Sequence, residues 1–170
     1  MTAQEIQIEK PPDRPLAGRY DAPVDSIQAR LGRGFDPAEL RRIKRLWVRH
    51  SIAEDRRDID GLIATLAPDC VYEIVPTGQR WDGHDGARQF YGELFAAFPD
   101  NRFALTEIVV GPQGVFEVAT LTGTNEGPWG GAPPSGLPVS LQVLILFPWE
   151  PATERFSGER IWFDRGSPAG

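Results

Sequence analysis

The amino-acid sequence predicts an α+β fold, with three helices from the N-terminal half packed on a strongly curved mixed or antiparallel sheet. Before residue 99, apolar residues recur in three segments at spacings of three and four, which is the period of a helix. From residue 102 onward the period becomes two, as in strands. Helices segregated from a run of strands indicate the α+β class. A sheet curved around a long helix would enclose a cavity, where a functional site is expected.

The chain is expected to contain one folded domain after an N-terminal arm. Residues 1–35 are rich in proline and show no sustained hydrophobic period, so we predict a flexible arm with a short helix near residues 24–31. The domain is predicted to span residues 36–165, an ordinary size for a single hydrophobic core. Residues 166–170 are predicted to form a C-terminal tail.

Acidic capping residues mark where each predicted helix begins. Asp36 would cap the first helix, with Pro37 at its first position and Glu39 completing a capping box. Asp58 would cap a second, short helix, and Asp85 a third. The apolar stripe of the first helix consists of Leu40, Ile43, Trp47 and His50. That of the second consists of Leu62, Ile63 and Leu66.

Strands are predicted where β-branched and aromatic residues alternate with polar ones. One strand precedes the third helix and four follow it, with glycine and proline turns between them. The Gly/Pro-rich loop at residues 126–137 is expected to form a lid or rim, with Trp129 over the pocket. The predicted strands are residues 70–75, 102–110, 115–125, 138–147 and 156–164.

The shortage of cysteine and histidine excludes several kinds of site. The chain has 170 residues with one Cys and two His, so we expect no internal disulfide and no metal site. The net charge of −6 argues against nucleic acid as a partner. No apolar stretch is long enough to span a membrane, and no secretion signal is visible, so a cytoplasmic protein is expected.

Three segments carry a family resemblance. They are the region from Ala67-Pro68-Asp69 to Phe90-Tyr91, the Gly/Pro loop at residues 123–136, and the closing segment at residues 158–164. Together they resemble the SnoaL-like polyketide cyclase branch of the nuclear transport factor two-like superfamily, over residues 37–165. The resemblance implies a cone-shaped α+β barrel, a homodimer, and cofactor-free chemistry on a small-molecule substrate.

A second resemblance is to ketosteroid isomerase, a member of the same superfamily. The stretch from His50 to Ile74 is similar, without gaps, to the helix–helix–strand opening of that enzyme. There the position of His50 is occupied by a tyrosine that donates to the developing oxyanion, and the position of Ile74 by an aspartate base. The resemblance therefore implies a polar donor at position 50 and no steroid-type base at position 74.

The leading functional hypothesis is a cofactor-free enzyme that acts on an apolar, carbonyl-bearing, polyketide-like molecule by acid/base proton transfer. The reaction would be a cyclisation, a dehydration or an isomerisation. His50 would be an acid, a base or an oxyanion donor, because histidine titrates near neutral pH. Tyr72 would donate a hydrogen bond, and Asp164, matched by the resemblance to the acid/base aspartate of the cyclases, would be a second acid/base. Substrate contacts are expected from Trp47, Ile74, Asn125, Trp129, Gln142 and Trp162.

Each candidate also has a structural interpretation. His50 and Tyr72 could be satisfied core residues, Asp164 could pair with a surface arginine, and Gln142 could face solvent. The alternative function is a non-catalytic binding or assembly module, which a wholly apolar cavity with His50 bonded to backbone would favour. A weaker alternative is that the basic run at residues 41–45 binds an acidic partner.

Overall fold

The computed structural model describes residues 24–163, with side chains from residue 28 onward. Asp164, the predicted tail at residues 166–170 and the first part of the predicted arm lie outside the described residues. The chain divides into two compact units between Gly34 and Phe35. In the first unit the described element is helix α1 (Val24–Leu31), at the position of the short helix expected from the sequence.

The described part of the second unit contains three helices and six strands. The helices are α2 (Pro37–Asp55), α3 (Ile59–Ile63) and α4 (Gly83–Ala97). The strands are β1 (Leu66–Ile74), β2 (Gln79–Asp82), β3 (Arg102–Gly111), β4 (Gly114–Thr124), β5 (Pro138–Glu150) and β6 (Arg155–Phe163). They form one sheet in the order β2-β1-β6-β5-β4-β3. Because β1 and β6 are parallel and the other pairs antiparallel, the sheet is mixed, and the predicted α+β class is confirmed.

Three local predictions are wrong, each at the junction of two elements. Leu66 begins β1 and does not continue the second helix, which ends at Ile63. The short strand β2 is absent from the prediction and forms a hairpin with β1. Helix α4 begins with Asp82 at its N-cap position, whereas Asp85 lies in its first turn. These short segments have little periodicity of their own, so their structure depends on the neighbouring strand or helix.

Helix α2 lies along the inner face of the sheet. Its N-terminus is capped by Asp36, whose carboxylate accepts a hydrogen bond of 2.8 Å from the Ala38 backbone N–H. The Trp149 indole at the end of β5 donates to the Glu39 carboxylate at 2.9 Å, which ties the first turn of α2 to the sheet. The buried stripe of α2 consists of Ile43, Leu46, His50 and Ala53.

Alternating residues of four neighbouring strands form the inner face of the sheet. Tyr72 on β1 lies opposite Glu159 on β6. Ile145 on β5 lies opposite both Ile161 on β6 and Glu117 on β4. All five side chains are buried, whereas the residues between them along each strand are at least partly exposed or pack on the outer face. The core therefore lies between this face and the helices, and two glutamates are part of it.

Candidate functional site

An apolar cavity lies between the inner face of the sheet and helices α2 and α4. Its non-atom space is about 410 Å³ when the solvent at its open mouth is counted, and about 30 Å³ of this can hold the centre of a water molecule. Apolar side chains make up its lining except for two glutamates, Glu54 and Glu159. The apolar wall includes Phe90, Phe103, Trp129, Leu141, Ile161 and Phe163. Such a pocket suits a small and largely apolar molecule that meets a few polar groups.

The two carboxyl groups of the cavity come from different elements. Glu54 lies in the last turn of α2, four residues after His50, so helical spacing places both residues on the sheet-facing side. Glu159 lies on β6, and strand alternation puts it on the same face as Ile161. Glu159 is only 2% exposed, whereas Glu54 is partly exposed. Helix and sheet thus each contribute one carboxyl group to an otherwise apolar wall.

Glu159 is the central acceptor of a buried hydrogen-bond cluster. Its Oε1 accepts from the Tyr91 hydroxyl at 2.6 Å and from the Tyr72 hydroxyl at 3.0 Å. The same oxygen lies 3.0 Å from His50 Nε2. Because these contacts all end on Oε1, the second carboxylate oxygen, Oε2, is the one available to a molecule in the cavity.

His50 is fully buried behind Glu159 and does not line the cavity. Its Nδ1 lies 2.7 Å from the Thr65 hydroxyl, and its Nε2 lies 2.9 Å from the Tyr91 hydroxyl. The imidazole packs edge-on against Phe147, with 5.3 Å between ring centroids. Since both ring nitrogens contact side chains, any influence of His50 on a ligand passes through Glu159 and Tyr91.

Burial and the charge of Glu159 raise the pKa of several groups around the cavity. Burial is the larger cause of the raised pKa of Glu54, and repulsion by Glu159 is the next. Burial and then the charge of Glu159 also raise the pKa of Tyr72 and Tyr91, so both phenols remain donors at neutral pH. Glu54 therefore holds its proton at a higher pH than an ordinary glutamate, which suits a general acid.

A third buried carboxyl group, that of Glu117, lies on β4 outside the cavity lining. Glu117 is 7% exposed, and its Oε2 accepts a hydrogen bond of 2.8 Å from the Trp47 indole. Burial, followed by the charge of Glu159, raises the pKa of Glu117 to about 7, although the bond from Trp47 lowers it. Trp47 is expected from the sequence to contact substrate, and its indole N–H donates to this carboxylate.

Wild type is expected to lose free energy of unfolding as the pH rises, because Glu117 is buried, and replacing Glu117 by glutamine should prevent this loss. Below the ordinary glutamate pKa of 4.5, Glu117 is protonated in the folded and the unfolded state, so its titration does not change the free energy of unfolding. Between pH 4.5 and the folded-state pKa of about 7, only the unfolded state releases the proton, and the folded protein becomes less stable as the pH rises. At about 1.36 kcal/mol per pKa unit, the loss reaches a few kcal/mol at most and is complete above the folded-state pKa. Glutamine can still accept the hydrogen bond from Trp47.

Urea unfolding of wild type and Glu117→Gln at pH 5 and pH 8 measures this difference. The variant should lose less stability than wild type between the two pH values. Equal losses in the two proteins would show that Glu117 does not titrate as described.

The structure brings two of the predicted catalytic residues together. His50 and Tyr72 both contact Glu159, but neither lines the cavity. Trp129 does line it, and its ring packs on Phe90 with 5.6 Å between centroids. Ile74 is fully buried in the core at the end of β1. The roles predicted for these residues in catalysis or substrate binding stay predictions.

Asn125 lies at the base of the Gly/Pro loop, away from the cavity lining. Its Nδ2 donates to the Gly127 carbonyl at 2.7 Å, and its Oδ1 accepts from the Ser135 backbone N–H at 2.9 Å. These two bonds join the beginning and the end of the loop that carries Trp129. Asn125 therefore holds the loop in position.

Gln142 and Trp162 lie on the outer face of the sheet. Each alternates along its strand with inward-facing residues, Val143 on β5 and Ile161 on β6. The Arg160 guanidinium lies over the Trp162 ring, 5.3 Å from its centroid. Neither side chain is part of the cavity lining. The third predicted catalytic residue, Asp164, lies outside the described residues, so its role also stays a prediction.

Four residues complete the site and are absent from the sequence-based candidates: Glu54, Thr65, Tyr91 and Glu159. A signal for Glu159 is present in the sequence, because it alternates with Ile161 and with Phe163 on the apolar face of a strand. Glu54 follows His50 at helical spacing, and Tyr91 lies on the apolar stripe of α4. Thr65 has no such signal, because its contact with His50 depends on how the chain turns after α3.

The groups that the described site offers are carboxyl, phenol, hydroxyl and imidazole groups. Within residues 24–163, no three or more His, Cys, Asp or Glu side chains are arranged to hold a metal ion. None of the helices in the same range has the length and apolarity needed to cross a membrane.

The chain is similar to one protein family and to several solved structures. The model of the SnoaL-like polyketide cyclase family matches residues 40–167. A similar structure is that of a SnoaL-like polyketide cyclase candidate from Jannaschia sp. CCS1, with 26% identity, a TM-score of 0.62, and coverage of 78% of this chain and 92% of that one. AclR from Streptomyces galilaeus, named as a hydroxylase candidate, has 20% identity, a TM-score of 0.59, and coverage of 74% and 90%. A ketosteroid isomerase candidate from Kribbella flavida has 16% identity, a TM-score of 0.58, and coverage of 76% and 83%. No curated protein matches the chain.

The family match extends from the first turn of α2 to beyond the end of β6. It therefore includes every element that contributes to the cavity and to the Glu159 cluster. The solved structures have the same fold, but at these identities they carry no assignment of reaction. The chain belongs to the SnoaL-like polyketide cyclase family.

Proposed function

We propose that this protein is a cofactor-free enzyme that transfers protons on an apolar, carbonyl-bearing molecule of polyketide type. The observation that carries the proposal is the presence of Glu54 and Glu159 in an otherwise apolar cavity. Burial raises the pKa of Glu54, so it keeps a proton to give. Donors surround Oε1 of Glu159 and stabilise negative charge there. Two carboxyl groups in such different environments suit an acid and a base in one site.

Glu159 is assigned the role of base. Its Oε1 is occupied by the hydroxyls of Tyr72 and Tyr91, so Oε2 would take a proton from the carbon next to the substrate carbonyl. The C–H bond breaks, an O–H bond forms at Oε2, and the electron pair moves to the carbonyl oxygen as an enolate.

Glu54 is assigned the role of acid. Its proton would pass to the enolate oxygen, or to a hydroxyl group that leaves as water in a dehydration. The apolar wall keeps bulk water from the intermediate and strengthens both electrostatic effects. A carbon nucleophile formed in this way can also attack a second carbonyl of the same molecule, which would be a cyclisation.

Family membership supports small-molecule chemistry but leaves the reaction open. The names of the similar structures refer to a cyclase, a hydroxylase and a ketosteroid isomerase, so one fold is associated with several reactions. We include in the proposal a homodimer, from the family resemblance, a location in the cytoplasm, from the sequence features given above, and no nucleic-acid partner, from the net charge of −6.

A non-catalytic binding module is the second candidate. The observation that favours it is that His50 is wholly engaged with other side chains and does not reach the cavity. Against it, the cavity wall carries two carboxyl groups, and His50 bonds to side chains of a polar cluster rather than to backbone.

Replacing Glu54 by glutamine is expected to slow proton transfer by about 10²-fold, the lower part of the usual range for a positioned acid or base. The probe is 1-tetralone, a largely apolar bicyclic ketone whose α-protons exchange through an enolate. Exchange of its α-protons with D₂O is followed by proton NMR with and without protein. Wild type should accelerate the exchange above the buffer rate, because enolate formation is the step that the two carboxyl groups would assist.

The matched control is Glu73→Gln, the same substitution in a glutamate that faces away from the core and pairs with Arg160 at 3.2 Å. This variant should exchange protons as fast as wild type. Exchange in Glu54→Gln at the wild-type rate would remove Glu54 from the mechanism. Binding of 1-tetralone by wild type without any acceleration would support the non-catalytic candidate instead.

A further inference from the structure

The hydrogen bonds of Thr65 determine which nitrogen of His50 carries a proton. The Thr65 hydroxyl oxygen lies 2.6 Å from the Leu62 carbonyl oxygen and 2.7 Å from His50 Nδ1. Two oxygens so close need a proton between them, and the carbonyl has none to give. The single hydroxyl proton of Thr65 therefore points at Leu62. The contact with Nδ1 then requires a proton on Nδ1, with the Thr65 oxygen as acceptor.

The other ring nitrogen, Nε2, belongs to a triangle of polar atoms. We call His50 Nε2, the Tyr91 hydroxyl oxygen and Glu159 Oε1 the proton triangle. Its sides are 2.9 Å from Nε2 to Tyr91, 2.6 Å from Tyr91 to Glu159, and 3.0 Å from Glu159 to Nε2. All three residues are buried, with His50 and Tyr91 at 0% exposure and Glu159 at 2%. Water therefore does not supply or remove protons at these atoms as it would at the surface.

The contacts within the proton triangle require one proton more than Tyr91 can supply. The oxygen–oxygen side needs a proton, and so does the side between Nε2 and Tyr91, but Tyr91 has only one. The Tyr72 hydroxyl lies 3.0 Å from Oε1 and 3.0 Å from the Tyr91 hydroxyl, so its own proton serves one of these two contacts and neither of the two sides just named. The extra proton lies on Nε2 or on Oε1. In either case His50 and Glu159 together carry no net charge, which is the arrangement that burial permits.

We propose that Thr65 is a positioning residue that fixes His50 with its proton on Nδ1, so that Nε2 shares one proton with Glu159 through the proton triangle. The inference rests on the proposed function in one respect, the use of Glu159 as a base. With the shared proton on Nε2, Glu159 is a carboxylate and can take a substrate proton at Oε2. The imidazolium left behind it then offsets the negative charge of the enolate. Without Thr65, the imidazole is free to put its one proton on Nε2 and to hold none on Nδ1.

Nitrogen-15 NMR of the histidine rings tests the assignment without any substrate. The chain has only two histidines, and His84 lies outside the cluster, so His84→Asn leaves the signals of His50 alone. We expect Nδ1 of His50 to be protonated in wild type. A wild-type spectrum with an unprotonated Nδ1 would overturn the proposal, and this measurement needs no variant of the cluster.

Two substitutions at Thr65 test its part. Thr65→Val removes the oxygen that accepts from Nδ1, so we expect the Nδ1 proton to be lost. We also expect the rate of 1-tetralone exchange to fall about 10-fold or more with KM little changed, as happens when a group that orients a catalytic histidine is removed. Thr65→Ser keeps the hydroxyl and should restore both readouts. A Nδ1–H signal that survives in folded Thr65→Val, checked by circular dichroism, would contradict the proposal. The expected NMR results without any catalysed exchange would support the tautomer and refute only the proposed reaction.

Discussion

Replacing Glu159 by glutamine is expected to reduce the catalysed exchange of 1-tetralone protons by about 10²–10⁴-fold, the full range for loss of a positioned base. Glutamine has nearly the same shape and can still accept hydrogen bonds from Tyr72 and Tyr91. Its amide cannot take a proton at the position of Oε2. The loss should appear in kcat and in kcat/KM alike, because the proton transfer occurs only in the transition state.

The same substitution should change the titration of the neighbouring carboxyl groups. The charge of Glu159 is the second cause of the raised pKa of both Glu54 and Glu117. Removing that charge should therefore lower the pKa of Glu117 from about 7 toward its ordinary value. A carbon-13 NMR titration of the glutamate carboxyl groups measures this shift. It reports on the electrostatics of the site even if the probe ketone is a poor substrate.

Glu73→Gln serves again as the control, because it removes a carboxylate from the opposite face of the same sheet. Neither the exchange rate nor the pKa of Glu117 should change in that variant. If Glu159→Gln behaved like Glu73→Gln in both measurements, the assignment of Glu159 as the base would be wrong.

Gly158→Ala is expected to be among the most destabilising substitutions in the chain, at about 4 kcal/mol or more, because both the backbone angle and the available space oppose it. The φ angle of Gly158 is +116°, which side-chain-bearing residues rarely adopt. A Cβ atom there would overlap the Val71 carbonyl on the paired strand β1 and lie 2.6 Å from the Val71 nitrogen. Neither backbone group can move without breaking the β1–β6 pairing that places Glu159 beside Tyr72.

Gly92→Ala is the matched control, because Gly92 is exposed on helix α4 and a Cβ built there would meet nothing within 4 Å beyond its chain neighbours and the backbone of its own helix. Alanine should stabilise this helix by about 0.5–1 kcal/mol, since glycine is the poorer helix former. Urea or thermal unfolding monitored by circular dichroism compares the two variants with wild type. Destabilisation of similar size in both would mean that the strand pairing at Gly158 is not as described.

The proposed base, Glu159, illustrates how a family resemblance can be right about the fold and incomplete about the polar groups of the cavity. The resemblance to ketosteroid isomerase implies that the base position on β1 is Ile74, an apolar residue. In the structure a carboxylate is present on the neighbouring strand, where Glu159 lies opposite Tyr72, two residues before Ile74 in β1. A comparison along the chain of β1 alone cannot find it, because the two strands are far apart in sequence and adjacent only in the sheet.

His50 shows the same limit for a single residue. The sequence places it on the buried stripe of α2, and both a satisfied core histidine and a catalytic group fit that pattern. Its partners come from α3–β1, α4 and β6, at Thr65, Tyr91 and Glu159. These partners make it a buried member of a polar cluster in which Glu159 lines the cavity and His50 does not.

The sequence by itself determined the α+β class, the capped start of α2 and the positions of the main strands, because these depend on local periodicity and on capping residues. It also contained the alternation that turns Glu159 inward and Gln142 and Trp162 outward, since strand neighbours point to opposite faces. Only the tertiary structure decided which polar groups meet. Parallel pairing of β1 with β6 and the packing of α2 on the sheet bring Glu54 and Glu159 to one cavity, and long-range contacts of this kind leave no periodic trace in the chain.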